Sequence, residues 1–377
     1  MDIMFWLSLS VVYYVYDGYL RLLKFLSRHS VRKSESEFRE WPSATVLLTV
    51  YNEAEAIEER IRNILAADYP KDRLELLVAS DGSTDGTDAL VREIGNPRVK
   101  LISLERCGKT EAQNQAVKEA TGEILVFTDA RTRFDRAFLK QIILPFSDPS
   151  VGGVDGHLLF ISAPNNPVSE GQGRYWRYEL QVRQLESDLN ILVVASGACM
   201  AIRRFLLRQM DPSHGEDCVV PLDVALQGYR FVHSPQALAY DHMDHQADKE
   251  FKTRVRMTLR NWQGTLSRRR LLNPFRHPGY AWALWSHKLL RWLSPLFLIL
   301  MTLSSMLLAA SGSKMFQFIA VASVISYMAG FIGWQAERRG LSIPVASAIY
   351  SFLLANLGFL VGLWRSLRQQ RITAYRS

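Results

Sequence analysis

Three stretches near the C-terminus, Ser294–Ser311, Met315–Ala336 and Ile343–Trp364, contain no charged residue. A helix needs roughly 20 apolar residues to cross the hydrocarbon of a bilayer. The second and third stretches reach that length, and the first falls slightly short. A soluble globule rarely builds three such runs in succession, so membrane segments are expected. A fourth apolar run, Ile3–Leu26, is interrupted by Asp17, Arg21 and Lys24. No small-residue cleavage site follows its apolar part, so it reads as an anchor and not as a signal peptide. Arg21, Lys24, Arg28, Arg32 and Lys33 then mark the cytoplasmic side.

This asymmetry explains a mean hydropathy of −0.03, which averages a charged half and an apolar half. The net charge is +8. In a membrane protein such charge faces anionic headgroups. No basic stripe with a nucleic-acid motif accompanies it, so nucleic acid is not an expected partner. Cys107, Cys199 and Cys218 show no CxxC spacing, so neither a disulfide framework nor a zinc site follows. A reducing, cytoplasmic setting is the plain inference. Expected boundaries are an anchor over 1–33, a cytoplasmic domain over 42–270, an aromatic and basic interfacial stretch over 271–293, and a membrane region of about three spans over 294–377. One conflict arises. Three spans after a cytoplasmic domain put the C-terminus outside, yet Arg365, Arg368, Arg371 and Arg376 follow the last span without an acidic residue.

Within the charged half, β-rich runs alternate with helical ones. Strands are expected at Ala44–Val50, Leu74–Ser80, Val99–Leu104 and Ile124–Thr128. Helices are expected at Ala54–Ala66, Thr84–Ile94 and Thr110–Ala120. This order predicts an α/β fold, a mostly parallel mixed sheet flanked by helices. Ligands of such sheets bind beyond the carboxyl ends of the strands. Tyr51-Asn52-Glu53, Asp81-Gly82-Ser83 and Asp129 occupy those places. An Asp-Gly alone is usually only a turn; three polar strand ends in order point to one crevice.

The run from Thr49 through "YNEAEAIEERIRNILAADYP", "LLVASDGSTDGT" and "GKTEAQNQAVKEATGEILVFTDA" resembles the family-two inverting glycosyltransferases with a GT-A, Rossmann-like fold. "ASGACMAIRR", "GEDCVVPLDVALQGYRF" and the apolar segments make it similar to the membrane-embedded branch. That branch includes the hyaluronan, chitin-oligosaccharide, poly-N-acetylglucosamine and cellulose synthases. The resemblance implies a donor pocket for a UDP-sugar formed by Tyr51, Asn52, Glu53, Asp81, Gly82, Lys109, Asp129 and Arg131. Lys109 opens a helix, where a cation and free backbone amides suit an anionic ligand. Asp129 falls at the family's Asp-X-Asp position, which implies Mg2+ or Mn2+. The third position here is Arg131, so either Asp129 alone holds the ion or Arg131 meets the diphosphate directly.

By the same resemblance Asp217 is the base of an inverting transfer and Glu216 its neighbour. Read without the resemblance, the two form an acidic pair capping a helix over Cys218–Gln227. Ser196, Gly197 and Ala198 correspond to the segment lining the acceptor channel. Trp262 matches the tryptophan of the processive Gln-X-X-Arg-Trp motif, but Thr258 and Asn261 replace its Gln and Arg, while Arg260 is a further candidate for the diphosphate. The implied activity is sugar transfer at a bacterial inner membrane to a glycan or lipid-linked acceptor, in exopolysaccharide or surface-glycan assembly. The alternatives are a processive, exporting synthase and a degenerate membrane scaffold or glycan-binding subunit. Homo-oligomer formation is left open.

Overall fold

The structure, a computed structural model, describes residues 1–30, 38–161, 167–242, 247–341 and 343–372. Arg32, Lys33 and Arg376 lie outside them. The chain opens with helix α1 (Asp2–Leu26). The α/β part follows as β1 (Ala44–Val50), α2 (Ile57–Leu65), β2 (Leu74–Asp81), α3 (Thr87–Glu93), β3 (Val99–Leu104), α4 (Lys109–Glu119) and β4 (Ile124–Asp129). Next come β5 (Arg133–Phe134), α5 (Phe138–Ile143), β6 (Val151–Ile161), α6 (Pro167–Asp188), β7 (Cys199–Arg203), α7 (Glu216–Leu226), β8 (Arg230–His242) and α8 (Ala247–Ser267). Three long apolar helices close it: α9 (Pro278–Ala310), α10 (Lys314–Arg338) and α11 (Pro344–Leu367).

The strands form one sheet in the order β3-β2-β1-β4-β7-β6-β8-β5. β3, β2, β1 and β4 run parallel, as the alternating pattern predicts. β7 lies antiparallel between β4 and β6, so β6 again points the same way as β4. Every residue of β1 is buried. Val46, Leu48 and Val50 pack on one face, where Ile57, Ile61 and Ile64 of α2 cover them, and Leu47 packs on the other. A strand buried on both faces reads as a continuous apolar run, which is why its bounds are legible in the sequence.

The stretch 271–293 does not form a separate helix. From Pro278 the chain is one continuous helix to Ala310, carrying a π-helical turn at Leu284–Leu289. Ala283 and Leu284 sit in a cluster with Tyr19 of α1, Val182 of α6 and Leu222 of α7. The first turns of α9 therefore belong to the core of the α/β part.

α9 then leads away from that core and α10 returns beside it, with the Thr302 and Tyr327 hydroxyls 2.9 Å apart. α11 packs on the second half of α10 in antiparallel order, with Leu353 beside Gly330. Its start meets the end of α10 at Gly333 and Ala346. Its middle reaches the near end of α9, where Ser294 donates to Asn356 Oδ1 at 2.8 Å. Its last turns lie on α8: a Cβ at Gly362 would stand 2.7 Å from Thr258 Cβ, so only glycine lets the two helices approach this closely. Beyond it, Gln263 donates to the Gln370 carbonyl at 2.8 Å. Both ends of α11 thus lie on the α/β side of the bundle.

Candidate active site

Three loops meet at the carboxyl end of β1, β2 and β4. Asn52, in the left-handed region at φ 52°, accepts from the Thr84 amide at 2.8 Å, and its own amide donates to Ser83 Oγ at 3.1 Å. The Glu53 amide donates to Thr87 Oγ1 at 3.0 Å. These bonds tie the loop after β1 to the loop after β2 and delay the start of α2 to Ile57.

Asp81 is buried at the end of β2. Its carboxylate accepts from the Cys107 amide at 2.7 Å and the Gly108 amide at 2.9 Å, and pairs with the Arg106 guanidinium. That guanidinium lies 3.5 Å from the centre of the Tyr51 ring. Gly82 sits beneath this loop at φ 72°, where a Cβ would come within 2.8 Å of the Arg106 amide nitrogen. Tyr51, Asp81 and Gly82 are thus brought together, and Arg106 joins them. Sequence reasoning missed Arg106; its signal was a basic residue two positions before Gly108-Lys109 in the loop after β3.

Lys109, the first residue of α4, carries the geometry that organises the rest. Its Nζ lies 2.7 Å from Asp129 Oδ1 and 2.9 Å from Glu216 Oε1. Burial works against its charge, but the Asp129 and Glu216 carboxylates outweigh it and hold the pKa above the usual lysine range. Glu216 and Asp217 form the first turn of α7, where the helix dipole favours anions. Burial pushes Glu216 up, yet Lys109 and Arg260 more than offset this and take it down to about 2. Asp217 moves the opposite way. Burial and the charge of Glu216 raise it above the ordinary aspartate value. Two adjacent carboxyls are driven apart, one fixed as an anion and one tuned towards proton exchange, a pattern found where acid–base work is done.

Arg260 of α8 donates to Thr110 Oγ1 at 3.0 Å and to the His214 carbonyl, and lies 3.7 Å from Glu216 Oε2. Its buried Nε has no hydrogen-bond partner among the described residues. Asn261 Nδ2 faces Asp217 Oδ2 at 3.5 Å. The Ser196–Ala198 segment joins the group: a Cβ at Gly197 would stand 3.1 Å from Glu216 Oε1. Arg131 is exposed and lies 3.5 Å from Glu53 Oε1. Trp262 is not brought to this cluster. Its ring meets Trp292 edge-on with centroids 5.9 Å apart, against Leu289, Phe359 and Leu363 at the membrane helices.

Among the described residues no three His, Cys, Asp or Glu side chains are placed to hold a metal by themselves. Asp129, 37% exposed, is one carboxylate with room beside it. Magnesium is commonly held by one or two carboxylates with phosphate oxygens and water completing its shell. The donor set therefore fits an ion shared with a diphosphate and not an ion held by protein alone.

Residues 45–211 match the model of the glycosyl transferase family 2 proteins. This segment is therefore similar to the family 2 glycosyl transferases. The chain is 23% identical over 267 residues to the probable glycosyltransferase YdaM of Bacillus subtilis (strain 168), covering 63% of this chain and 61% of that relative. It is 34% identical over 129 residues to the poly-beta-1,6-N-acetyl-D-glucosamine synthase of Staphylococcus aureus (strain COL), covering 33% and 31%. These matches span less than two thirds of either relative's length. Among solved structures, the mannosyltransferase PcManGT from Pyrobaculum calidifontis, in complex with GDP-Man and Mn2+, superposes with a TM-score of 0.71. That alignment has 22% identity and covers 98% of this chain and all of that one. The fold is thus GT-A-like, with long apolar helices appended, as the sequence implied.

Proposed function

We propose that the protein is an inverting glycosyltransferase that moves a sugar from a nucleotide sugar to a glycan or lipid-linked acceptor at the membrane, with UDP-sugars as the expected donors. One observation carries this reading: Lys109 links the strand-end carboxylate Asp129 to the helix-opening Glu216, beside an Asp217 whose pKa is raised. In this reading Asp217 takes the acceptor's hydroxyl proton as that oxygen attacks the anomeric carbon. The bond to the nucleoside diphosphate breaks on the opposite face. Lys109 and Arg260 are placed to hold the departing diphosphate. Tyr51, Asp81 and Arg106 form the wall for the nucleoside. Asp129 would hold a divalent ion, which supplies Lewis acidity to the leaving group; PcManGT was solved with Mn2+. The packing of Trp262 against Trp292 favours single addition over processive synthesis.

The helices support a place in the membrane with the catalytic domain on the cytoplasmic side. α1, α9 and α10 cross, and α11 lies near the cytoplasmic interface. Three crossings in total put the C-terminus beside the catalytic domain. Arg365, Arg368 and Arg371 then fall on the inside, which is where such residues accumulate, and this supports the three-crossing reading.

The test is nucleoside diphosphate release by the purified protein in nanodiscs that contain bacterial lipid extract. It is run over a panel of UDP- and GDP-sugars, with and without Mg2+ or Mn2+. One donor should give release that Asp217→Asn abolishes while nucleotide binding persists. Full turnover by that variant removes Asp217 as the base. Nucleotide binding without release from any donor would turn the reading towards a glycan-binding scaffold.

A further inference from the structure

Behind the site runs a line of buried charges that the proposed chemistry does not use. Asp155, on β6, has no exposed surface. Its carboxylate accepts from the Ser196 amide at 2.7 Å, meets His233 Nδ1 at 2.9 Å and pairs with Arg183 at 3.3 Å. Arg183 of α6 also reaches Glu179 at 3.3 Å. Glu179 in turn is met from α9 by His287 Nε2 at 3.0 Å, Lys288 Nζ at 3.3 Å and Arg291 at 3.2 Å. The other face of His287 sits 2.8 Å from Glu186.

The line also continues into the site. Next to Ser196, the Ala195 amide donates to the backbone carbonyl of Asp217 at 2.9 Å. Two residues further on, Thr128 Oγ1 donates to the Ala198 carbonyl at 2.9 Å. The segment 195–198 is therefore held on one side by Asp155 and on the other by the first turn of α7.

We propose that Asp155 is a positioning residue for sugar transfer: by fixing the Ser196 amide it sets segment 195–198, and through it the Asp217 carboxylate, in register with the arriving acceptor hydroxyl. This rests on the reading of Asp217 as the base. The line Asp155–Arg183–Glu179 then ties that register to the membrane helix α9, which fixes the depth at which a membrane-borne acceptor meets the base.

Two double variants of equal charge separate positioning from charge burial. In D155N/R183M the asparagine Oδ1 still accepts the Ser196 amide; in D155L/R183M nothing does. Both remove one acid and one base. Both should bind UDP or GDP as the wild type does, by calorimetry. In nanodiscs with bacterial lipid extract, D155L/R183M should lose at least about tenfold in acceptor-dependent release relative to D155N/R183M, since a displacement near 1 Å is enough for that. Equal acceptor-dependent rates in the two would overturn the proposal. Should the leucine variant not fold, hydrogen exchange of D155A/R183M against D155N/R183M decides: exchange should be quicker over 193–199 and the start of α7 in the alanine variant only, and equal exchange there overturns the proposal equally. A wild-type protein that binds neither nucleotide overturns the reading of the site, while the exchange experiment still judges the anchoring by Asp155.

Discussion

Lys109 is placed between two carboxylates of the site, Asp129 and Glu216. Removing it leaves Asp129 and Glu216 facing each other without their counter-charge. Breaking a fully buried pair costs about 3–5 kcal/mol. Asp129 is more than a third exposed, so Lys109→Met should destabilise by only about 1–3 kcal/mol, read from chemical denaturation in detergent. The two acids differ in their response to pH. Asp217 must be ionised to accept a proton, and its pKa is raised, so activity should fall on acidification at a higher pH than an ordinary aspartate would give. Part of that rise comes from the Glu216 charge. Glu216→Gln removes it, so the acid limb of kcat/KM should move to lower pH; a limb that stays in place would assign it to another group. For Glu216 the folded pKa is depressed. Its ion pairing contributes stability above the ordinary glutamate value and loses it as pH falls towards about 2. The residue types of this site were legible in the sequence, but their pairing was not. Lys109 and Glu216 are joined only by the β7–α7 return, and no local pattern predicts which lysine meets which acid. Arg106 was overlooked because a loop arginine reads as surface until Asp81 and Tyr51 are seen on either side of it.

At the level of elements, β1 falls at Ala44–Val50, where the sequence alone puts it, because a buried apolar run ends where the chain leaves the sheet. The edge strand β3 also falls where expected, at Val99–Leu104, though none of its residues is fully buried. Helix starts were drawn too early: α2 begins at Ile57 and α3 at Thr87, since side-chain bonds from Ser83, Asp85 and Thr87 hold the preceding residues in loops. A second residue missed, Asp155, lies in a glycine-flanked strand with no motif around it. α11 is the other case. Hydropathy reports contact with lipid and says nothing of direction, so the interfacial placement proposed for α11 and a crossing would look alike in the sequence. Its docking on α8 depends on Gly362. Gly362→Leu would force α11 away from Thr258 and Val255, and it should lower the melting temperature and release the bond between Gln263 and Gln370. Increased protease cleavage after Arg365 or Arg368 would report the loosened end.

For the whole molecule, the arrangement of helices makes a prediction about sides. Ser313, between α9 and α10, and Gln370, after α11, should lie on opposite faces of the membrane. In a Cys107→Ser background, Ser313→Cys in oriented vesicles should react with an impermeant thiol reagent only from the face away from the catalytic domain, and Gln370→Cys only from the domain's face. Labelling of both from one face would mean that α11 crosses. The same geometry bears on how such a protein can be divided. His287, buried between Glu179 and Glu186, lies beyond the point at which hydropathy would end the enzyme and begin its anchor. A fragment cut near residue 270 would keep both acids and discard His287, Lys288 and Arg291, three of the groups that meet them. Such a fragment should aggregate, and one ending after Trp292 should fare better. In an engineered chimera, the donor of the catalytic half must therefore bring the first turns of α9 with it. The seam between the two modules runs through the middle of a helix.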